Sequence, residues 1–161
     1  MRLFVSVRPD AHVVSHLQAH LGRVRTSRPD QWHVTLAFLG EVADDVSLQA
    51  LEIVARVHAP FTLRLSGSGS FGPRTTWAGV AGDVDALRSL SRDVQDACRA
   101  AGVDLEHRAY RPHLTVGRVD PRLLSSYESP TWRVEEIELV QSVLGKSAVH
   151  SVRRRFALYQ A

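Results

Sequence analysis

Trp32-His33-Val34-Thr35-Leu36-Ala37-Phe38-Leu39-Gly40 and Arg111-Pro112-His113-Leu114-Thr115-Val116-Gly117-Arg118 share one pattern: histidine, apolar residue, threonine, apolar residue, once in each half of a 161-residue chain. Along a strand, successive side chains alternate faces. Each histidine therefore shares a face with its threonine, while Val34 and Leu36, or Leu114 and Val116, point the other way, toward a core. One His-x-Thr on a strand is a weak signal that random sequence produces often. Two copies at corresponding places in a repeated unit are not expected from independent decoration.

The repeat extends outward from these motifs. Leu3 to Val7 has the composition of a strand, and Pro9-Asp10 opens a helix with Val13, Val14, Leu17, Leu21 and Val24 at helical spacing. Trp32 to Leu39 then forms a strand closed by Gly40, a helix runs over Ala43 to Val57, and Phe61 to Leu65 alternates as a third strand. Ser66-Gly67-Ser68-Gly69-Ser70 is expected to be a loop, too short for a linker between domains. The second half follows with a strand over Trp77 to Ala81, a helix from Val84 to Ala101, a strand over His113 to Val119, a helical segment near Pro121 to Tyr127 and one long strand from Trp132 to Leu144. No Gly-x-Gly-x-x-Gly follows the first strand and no phosphate-binding Gly-Lys-Ser/Thr occurs, so a doubly wound nucleotide fold is disfavoured. The expectation is an α+β fold, residues 1–161 forming one unit of two similar halves: two antiparallel sheets with the helices outside, whose histidine faces would meet across a groove if a pseudo-twofold axis relates the halves.

Composition narrows the function. The net charge is +3 with a pI near 9.6, and Lys146 is the single lysine among 20 cations, so nearly all the positive charge sits on arginine forks suited to phosphate. An arginine bias can equally follow genome composition, so charge permits a nucleic-acid partner without requiring one. No apolar run approaches membrane-spanning length, and the run ended by Arg8-Pro9 is too short for a signal-peptide core. Cys98 is alone, which excludes an intramolecular disulfide and fits a reducing cytoplasm; in its helical context it reads as a small packed side chain. No carboxylate or Cys/His ligand cluster accompanies the motifs, so the expectation is neither metal nor cofactor.

A cleft with two imidazoles and two hydroxyls suits phosphoryl transfer without a metal. In-line displacement needs a base for the attacking water and an acid for the departing oxygen. Histidine titrates near pH 6.5, so one ring can be neutral and its partner protonated at little cost. Thr35 and Thr115 can then donate to the non-bridging oxygens as charge develops.

The two histidine blocks, the opening Met1-Arg2-Leu3-Phe4-Val5, the segment Phe71-Gly72-Pro73-Arg74-Thr75-Thr76-Trp77-Ala78-Gly79-Val80 and the ending Arg155-Phe156-Ala157-Leu158 together resemble the RNA 2',3'-cyclic phosphodiesterases, also called 2'-5' RNA ligases, of the two-histidine phosphoesterase superfamily. The resemblance covers nearly the whole chain. It implies a bilobal fold with the motifs facing across a cleft, and hydrolysis of RNA 2',3'-cyclic phosphate ends to 2'-phosphomonoesters, with reverse 2'-5' ligation also available. It further implies that His33 is the proton donor to the leaving 3' oxygen and His113 the proton acceptor from water. By the same likeness Thr35 and Thr115 hold phosphate oxygens, and Arg118 supplies a cation beside them. Where many members have a tyrosine six residues before the phenylalanine matching Phe156, this chain has His150. The partner implied is an RNA end, and a monomer is expected. Two other readings remain open: the same chemistry on small cyclic nucleotides or 2'-5' oligonucleotides, and a non-catalytic RNA-binding module, against which the two intact histidines argue.

Several other residues invite a role. His12, His16 and His20 recur every four residues on the first helix, a spacing that can hold a metal but reads here as an exposed stripe. His58 and His107 lie near element ends with no partner motif and read as surface residues. Arg153, Arg154 and Arg155 form either an RNA-binding rim or the charged guard of an edge strand. Arg23, Arg25 and Arg28 precede the first motif, and their loop should border the cleft. Trp32, Phe38, Phe71 and Trp77 include candidates for base stacking, although tryptophan and phenylalanine in strands are more often core. Phe38 is excluded on parity: an odd offset from His33 puts it on the opposite face of a regular strand.

Overall fold

A computed structural model describes residues 1–145 and 148–159. Among these residues eight strands form two four-stranded sheets in which every pairing is antiparallel. The first sheet contains β1 (Arg2–Val7), β2 (Val34–Glu41), β7 (Glu136–Val143) and β8 (Val149–Ala157) in the order β2-β1-β7-β8. The second contains β3 (Phe61–Phe71), β4 (Thr75–Gly82), β5 (His113–Gly117) and β6 (Trp132–Val134) in the order β5-β4-β3-β6. Three helices, α1 (Ala11–Leu21), α2 (Ala50–Arg56) and α3 (Val84–Ala100), complete the α+β architecture. One contiguous cluster of buried apolar side chains runs through both sheets, from Val5 and Val34 to Leu114 and Leu124.

The strand orders reveal an exchange between the halves. Each sheet starts from a strand-helix-strand unit of its own half, β1-α1-β2 or β4-α3-β5, but takes its next inner strand from the other half: β7 pairs with β1, and β3 pairs with β4. The long strand expected over Trp132 to Leu144 is in fact two. The chain leaves the second sheet after Val134 and enters the first at Glu136, crossing between them at Glu135.

Ser66 to Ser70, expected as a loop, continues β3 without a break in strand structure. Gly67 has a positive φ of 68° and sits in a register shift between Leu65 and Ser68, a bulge that a side chain would strain. At Gly69 an added Cβ would run into the indole of Trp77 on the adjacent strand. The glycine is therefore a packing requirement rather than a loop signal.

Two further differences have local causes. The helix expected over Ala43 to Val57 shrinks to Ala50–Arg56, because Asp44-Asp45 sits in a turn closed by the Val46 amide on the Ala43 carbonyl. His12, His16 and His20 are exposed, as expected, yet none is idle. His12 and His20 donate through Nε2 to the carbonyls of Thr131 and Leu123, and His16 Nδ1 hydrogen bonds the Tyr127 hydroxyl, so the stripe fastens α1 to residues 123–131. His58, expected at the surface, is half-buried and paired with Asp93 at 2.7 Å. Cys98 is fully buried, and burial pushes its thiol up to about 11, which suits a packing role. No helix among the described residues is long and apolar enough to cross a membrane.

Candidate active site

Both motifs sit as the alternation requires. His33-Val34-Thr35-Leu36 and His113-Leu114-Thr115-Val116 show the same sequence of half-buried and buried positions. His33, Thr35, His113 and Thr115 line one cleft of about 350 Å³ between the sheets.

Each histidine is held in the same way. His33 Nδ1–H donates to the carbonyl of Gln31 at 2.8 Å, and His113 Nδ1–H to the carbonyl of Arg111 at 2.7 Å, in both cases two residues back. A carbonyl only accepts, so Nδ1 carries the hydrogen and Nε2 is left for the cleft, where it can take or give a proton. Phe4 stacks on the His33 ring at 4.7 Å, while Phe71 and Trp77 pack against His113 at 4.9 and 5.9 Å. Both imidazoles are thus fixed by an aromatic wall and a backbone acceptor.

The spacing between the motifs is set by reciprocal bonds. Tyr110, just before the second motif, donates its hydroxyl to the Thr35 carbonyl of the first at 2.7 Å. The amide of Ser27, shortly before the first motif, donates to the Val116 carbonyl of the second at 2.9 Å. Each approach segment is pinned to the opposite motif strand.

A bulge completes the first motif strand. Ser6 pairs with Thr35, Val5 with Ala37 and Phe4 with Phe38, so Leu36 is an extra residue. Its carbonyl is met from behind by the Ser91 hydroxyl at 2.7 Å and the Gln95 amide at 3.3 Å, both on α3. The extra residue reverses the parity, and Phe38 falls on the same face as Thr35 and Phe4. It is 68% exposed and lines the cleft, which overturns its exclusion on a regular-strand count.

His150 is a third imidazole in the cleft, 5.4 Å from the His33 ring and 5.0 Å from Phe4. Gln31 organises this corner: its carbonyl holds His33, its side-chain oxygen accepts from the His150 amide, and its side-chain nitrogen donates to the Ala148 carbonyl. Beside it, the buried carboxylate of Glu138 pairs with Arg8 and Arg155, each at 3.0 Å. Burial pushes His33 down to about 4, helped by the charges of His150, Arg8 and His113 and opposed by the Gln31 carbonyl. His150 is lowered too, first by burial and then by Arg8 and Arg28, against Asp30.

The remaining candidates lie elsewhere. Arg118 is exposed beyond the end of β5 and is not among the residues lining the cleft. Arg23, Arg25 and Arg28 are exposed and also outside that lining, with Arg28 committed to Asp30 at 2.7 Å. On the edge strand β8, Arg154 lies over Phe156 and Arg155 is held by Glu138 and Glu136. Trp32 is core, only 2% exposed. Gln31, Tyr110, Phe4 and Arg8 were not singled out from the sequence; the usable signal for Gln31 was its place two residues before a histidine, matching Arg111.

Residues 6–145 match the 2'-5' RNA ligase superfamily. An RNA 2',3'-cyclic phosphodiesterase of Geobacillus stearothermophilus is 35% identical across 82% of this chain and 47% of that protein, so the chain spans about half the length of that relative. An RNA 2',3'-cyclic phosphodiesterase of Thermus thermophilus is 31% identical across 98% of this chain and 90% of that protein. The crystal structure of Escherichia coli LigT complexed with 3'-AMP superposes with a TM-score of 0.77 at 26% identity, covering 99% of this chain and 98% of that one. Matching in sequence from β1 through β7 and in fold along nearly its full length, the chain belongs to the 2'-5' RNA ligase superfamily, among its RNA 2',3'-cyclic phosphodiesterases.

Proposed function

We propose that this chain opens the 2',3'-cyclic phosphate at an RNA end to a 2'-phosphomonoester without a metal ion. The carrying observation is the paired imidazoles, each with Nδ1 spent on a backbone carbonyl and Nε2 left for one shared cleft. His113 Nε2 takes a proton from water, the water oxygen bonds to phosphorus, and the bond from phosphorus to the 3' oxygen breaks. His33 Nε2 gives its proton to that oxygen. Thr35 and Thr115 donate to the non-bridging oxygens as negative charge gathers on them. Among the described residues no group of three or more His, Cys, Asp or Glu side chains is arranged to hold a metal, so the imidazoles and hydroxyls supply the chemistry in this reading. Arg118 enters it only by swinging toward the bound anion from beyond β5.

With an RNA 5'-hydroxyl in place of water, the same steps form a 2'-5' linkage; run backward from that linkage, they release the 5'-hydroxyl and close the cyclic phosphate again. The proposal treats residues 1–161 as one bilobal, monomeric, cytoplasmic unit. That E. coli LigT was crystallised with 3'-AMP supports a nucleotide in this cleft.

The test is phosphorus NMR of a short RNA with a 2',3'-cyclic phosphate end, incubated with the protein in EDTA. A 2'-phosphomonoester is expected, absent with His113→Ala or His33→Ala and slowed by Arg118→Ala. Placing sulfur at the bridging 3' position separates the two histidines. A thiolate leaves without a proton, so His33→Ala should be rescued and His113→Ala should not. Rescue of the other variant would reverse the roles, and activity lost to EDTA and restored by a metal would end the metal-independent reading.

A further inference from the structure

A polar row crosses the cleft face of the first sheet. Thr35 on β2, Ser6 on β1, Glu138 on β7 and Arg155 on β8 stand opposite one another in neighbouring strands, so all four share the face that Thr35 presents to the cleft. Within the row the carboxylate of Glu138 belongs to a residue only 3% exposed. A buried charge is costly unless paired, and this one is paired twice, with Nε of Arg8 and Nε of Arg155, each at 3.0 Å. The two arginines differ in what remains to them. Arg155 is also approached by Glu136 at 3.7 Å, whereas the Arg8 side chain is 39% exposed and, among the described residues, neither of its Nη nitrogens makes a hydrogen bond. Val7 pairs with Val34, so Arg8, the next residue, comes level with His33, and its charge reaches both His33 and His150. Arg28 reaches His150 as well, but its Nε and Nη2 are committed to Asp30.

We propose that Arg8, steadied by Glu138, holds the phosphodiester on the 5' side of the nucleotide that carries the cyclic phosphate, so that the site favours a polynucleotide end over a cyclic mononucleotide. The assignment rests on the reaction proposed above, in which His33 protonates the departing 3' oxygen. The ribose bearing that oxygen then lies on the His33 side of phosphorus, and the chain leaving its 5' carbon meets Arg8 as the cation with donors to offer. A guanidinium fixed through Nε presents its two outer nitrogens as a ready fork for two phosphate oxygens. One phosphate is the limit. Arg8 also borders a second cavity of about 400 Å³, where Asp10, Glu135 and Glu136 repel a further phosphate and turn the strand away. Arg8 thereby separates two substrate classes that the histidine motifs alone leave open, an RNA end and a small cyclic nucleotide.

The experiment compares compounds ending in a 2',3'-cyclic phosphate: a dinucleotide, the same dinucleotide with its linkage replaced by an uncharged methylphosphonate, the cyclic mononucleotide, and a trinucleotide uncharged only at the linkage farther from the end. Turnover is measured, and the matching 2'-phosphate products compete against a fluorescent RNA for binding, with wild type, Arg8→Ala, Arg8→Lys and the pair Arg8→Ala with Glu138→Gln. In wild type, neutralising the dinucleotide linkage should raise KM and weaken binding on the order of 10-fold, as for one charge-assisted contact, and flatten the salt dependence of log K by about 0.7. Arg8→Ala should bind the natural dinucleotide as weakly as the neutral one and no longer tell them apart. Arg8→Lys, which keeps the charge without the fork, should fall between. The paired variant leaves no buried carboxylate short of a partner, so the comparison stands even where Arg8→Ala alone folds poorly. A wild type indifferent to the linkage charge, an Arg8→Ala protein that still discriminates, or dependence on the farther linkage instead would overturn the assignment. Linkage-dependent binding through Arg8 with no turnover would remove the proposed reaction and leave the phosphate subsite standing.

Discussion

His33, proposed as the proton donor, is expected to reach its working state only when an anion arrives. With His33 pushed down to about 4, its imidazole is neutral near neutrality in the empty cleft. Burial is the main cause, and the charges of His150, Arg8 and His113 act in the same direction. A phosphate within hydrogen-bond reach reverses the balance, since an opposite charge at this range moves a titration by roughly 1 to 3 pH units. Followed by NMR through its ring carbon resonance, His33 should titrate near 4 alone and well above that with a 2'-phosphomonoester nucleotide bound. Binding near pH 5 should therefore take up close to one proton, measurable as a dependence of calorimetric heat on the ionisation enthalpy of the buffer. The same burial makes a stability statement. The unfolded ring titrates at 6.5, so its contribution is complete above about 6.5 and is lost as pH falls toward about 4. The loss amounts to roughly 2–3 kcal/mol after allowing for the partly exposed ring. Urea unfolding of wild type against His33→Asn should show that part of the pH dependence disappearing. A free-protein midpoint near 6.5, or one that ignores the bound phosphate, would refute the reasoning.

Two further substitutions probe how the rings are positioned. Tyr110→Phe removes the donor to the Thr35 carbonyl. It should cost about 1 kcal/mol of stability and lower kcat roughly 10-fold with little change in KM, because it loosens the spacing of the motifs rather than a contact with substrate; an unchanged kcat by steady-state kinetics would refute that role. Gly69→Ala drives a methyl into the Trp77 ring that packs against His113, and should destabilise the protein by about 1–3 kcal/mol in a thermal melt while shifting the His113 resonances. A neutral melt would show that β3 can yield there.

The layout of the candidate site was legible because it is repeated. His33-Val34-Thr35-Leu36 and His113-Leu114-Thr115-Val116 state the same face twice, and alternation alone decides which residues share it. Two antiparallel sheets followed from the missing nucleotide-binding glycine motifs and the alternation of Phe61 to Leu65. What escaped depends on contacts far away in sequence. Phe38 was misplaced because parity fails across a bulge that Ser91 on α3 helps to hold. Ser66 to Ser70 has the composition of a loop, and only the bulge at Gly67 and the indole of Trp77 facing Gly69 across the ladder explain why its glycines belong in a strand. The split at Glu135 left only a slight local mark: the Glu135-Glu136 pair shifts the apolar positions from Trp132 and Val134 to Ile137 and Leu139, as a bulge within one strand would also do. The histidines of α1 were rightly read as exposed, yet their hydrogen bonds to residues 123–131 required the tertiary arrangement.

The exchange of β3 and β7 makes the two lobes hostages to one another. A cut in the turn between β3 and β4 would leave the amino-terminal piece with β2-β1 but neither β7 nor β8, and the carboxy-terminal piece with β3 missing from between β4 and β6. The duplicated units therefore cannot be inherited or truncated separately, and long-range pairing must precede a complete core, a topology that slows folding. It also gives the enzyme a working advantage. A cleft whose two walls each take a strand from the other half of the chain cannot gape like two domains on a linker, so the distance between its imidazoles is fixed before a ligand arrives, and binding energy need not be spent on closing it.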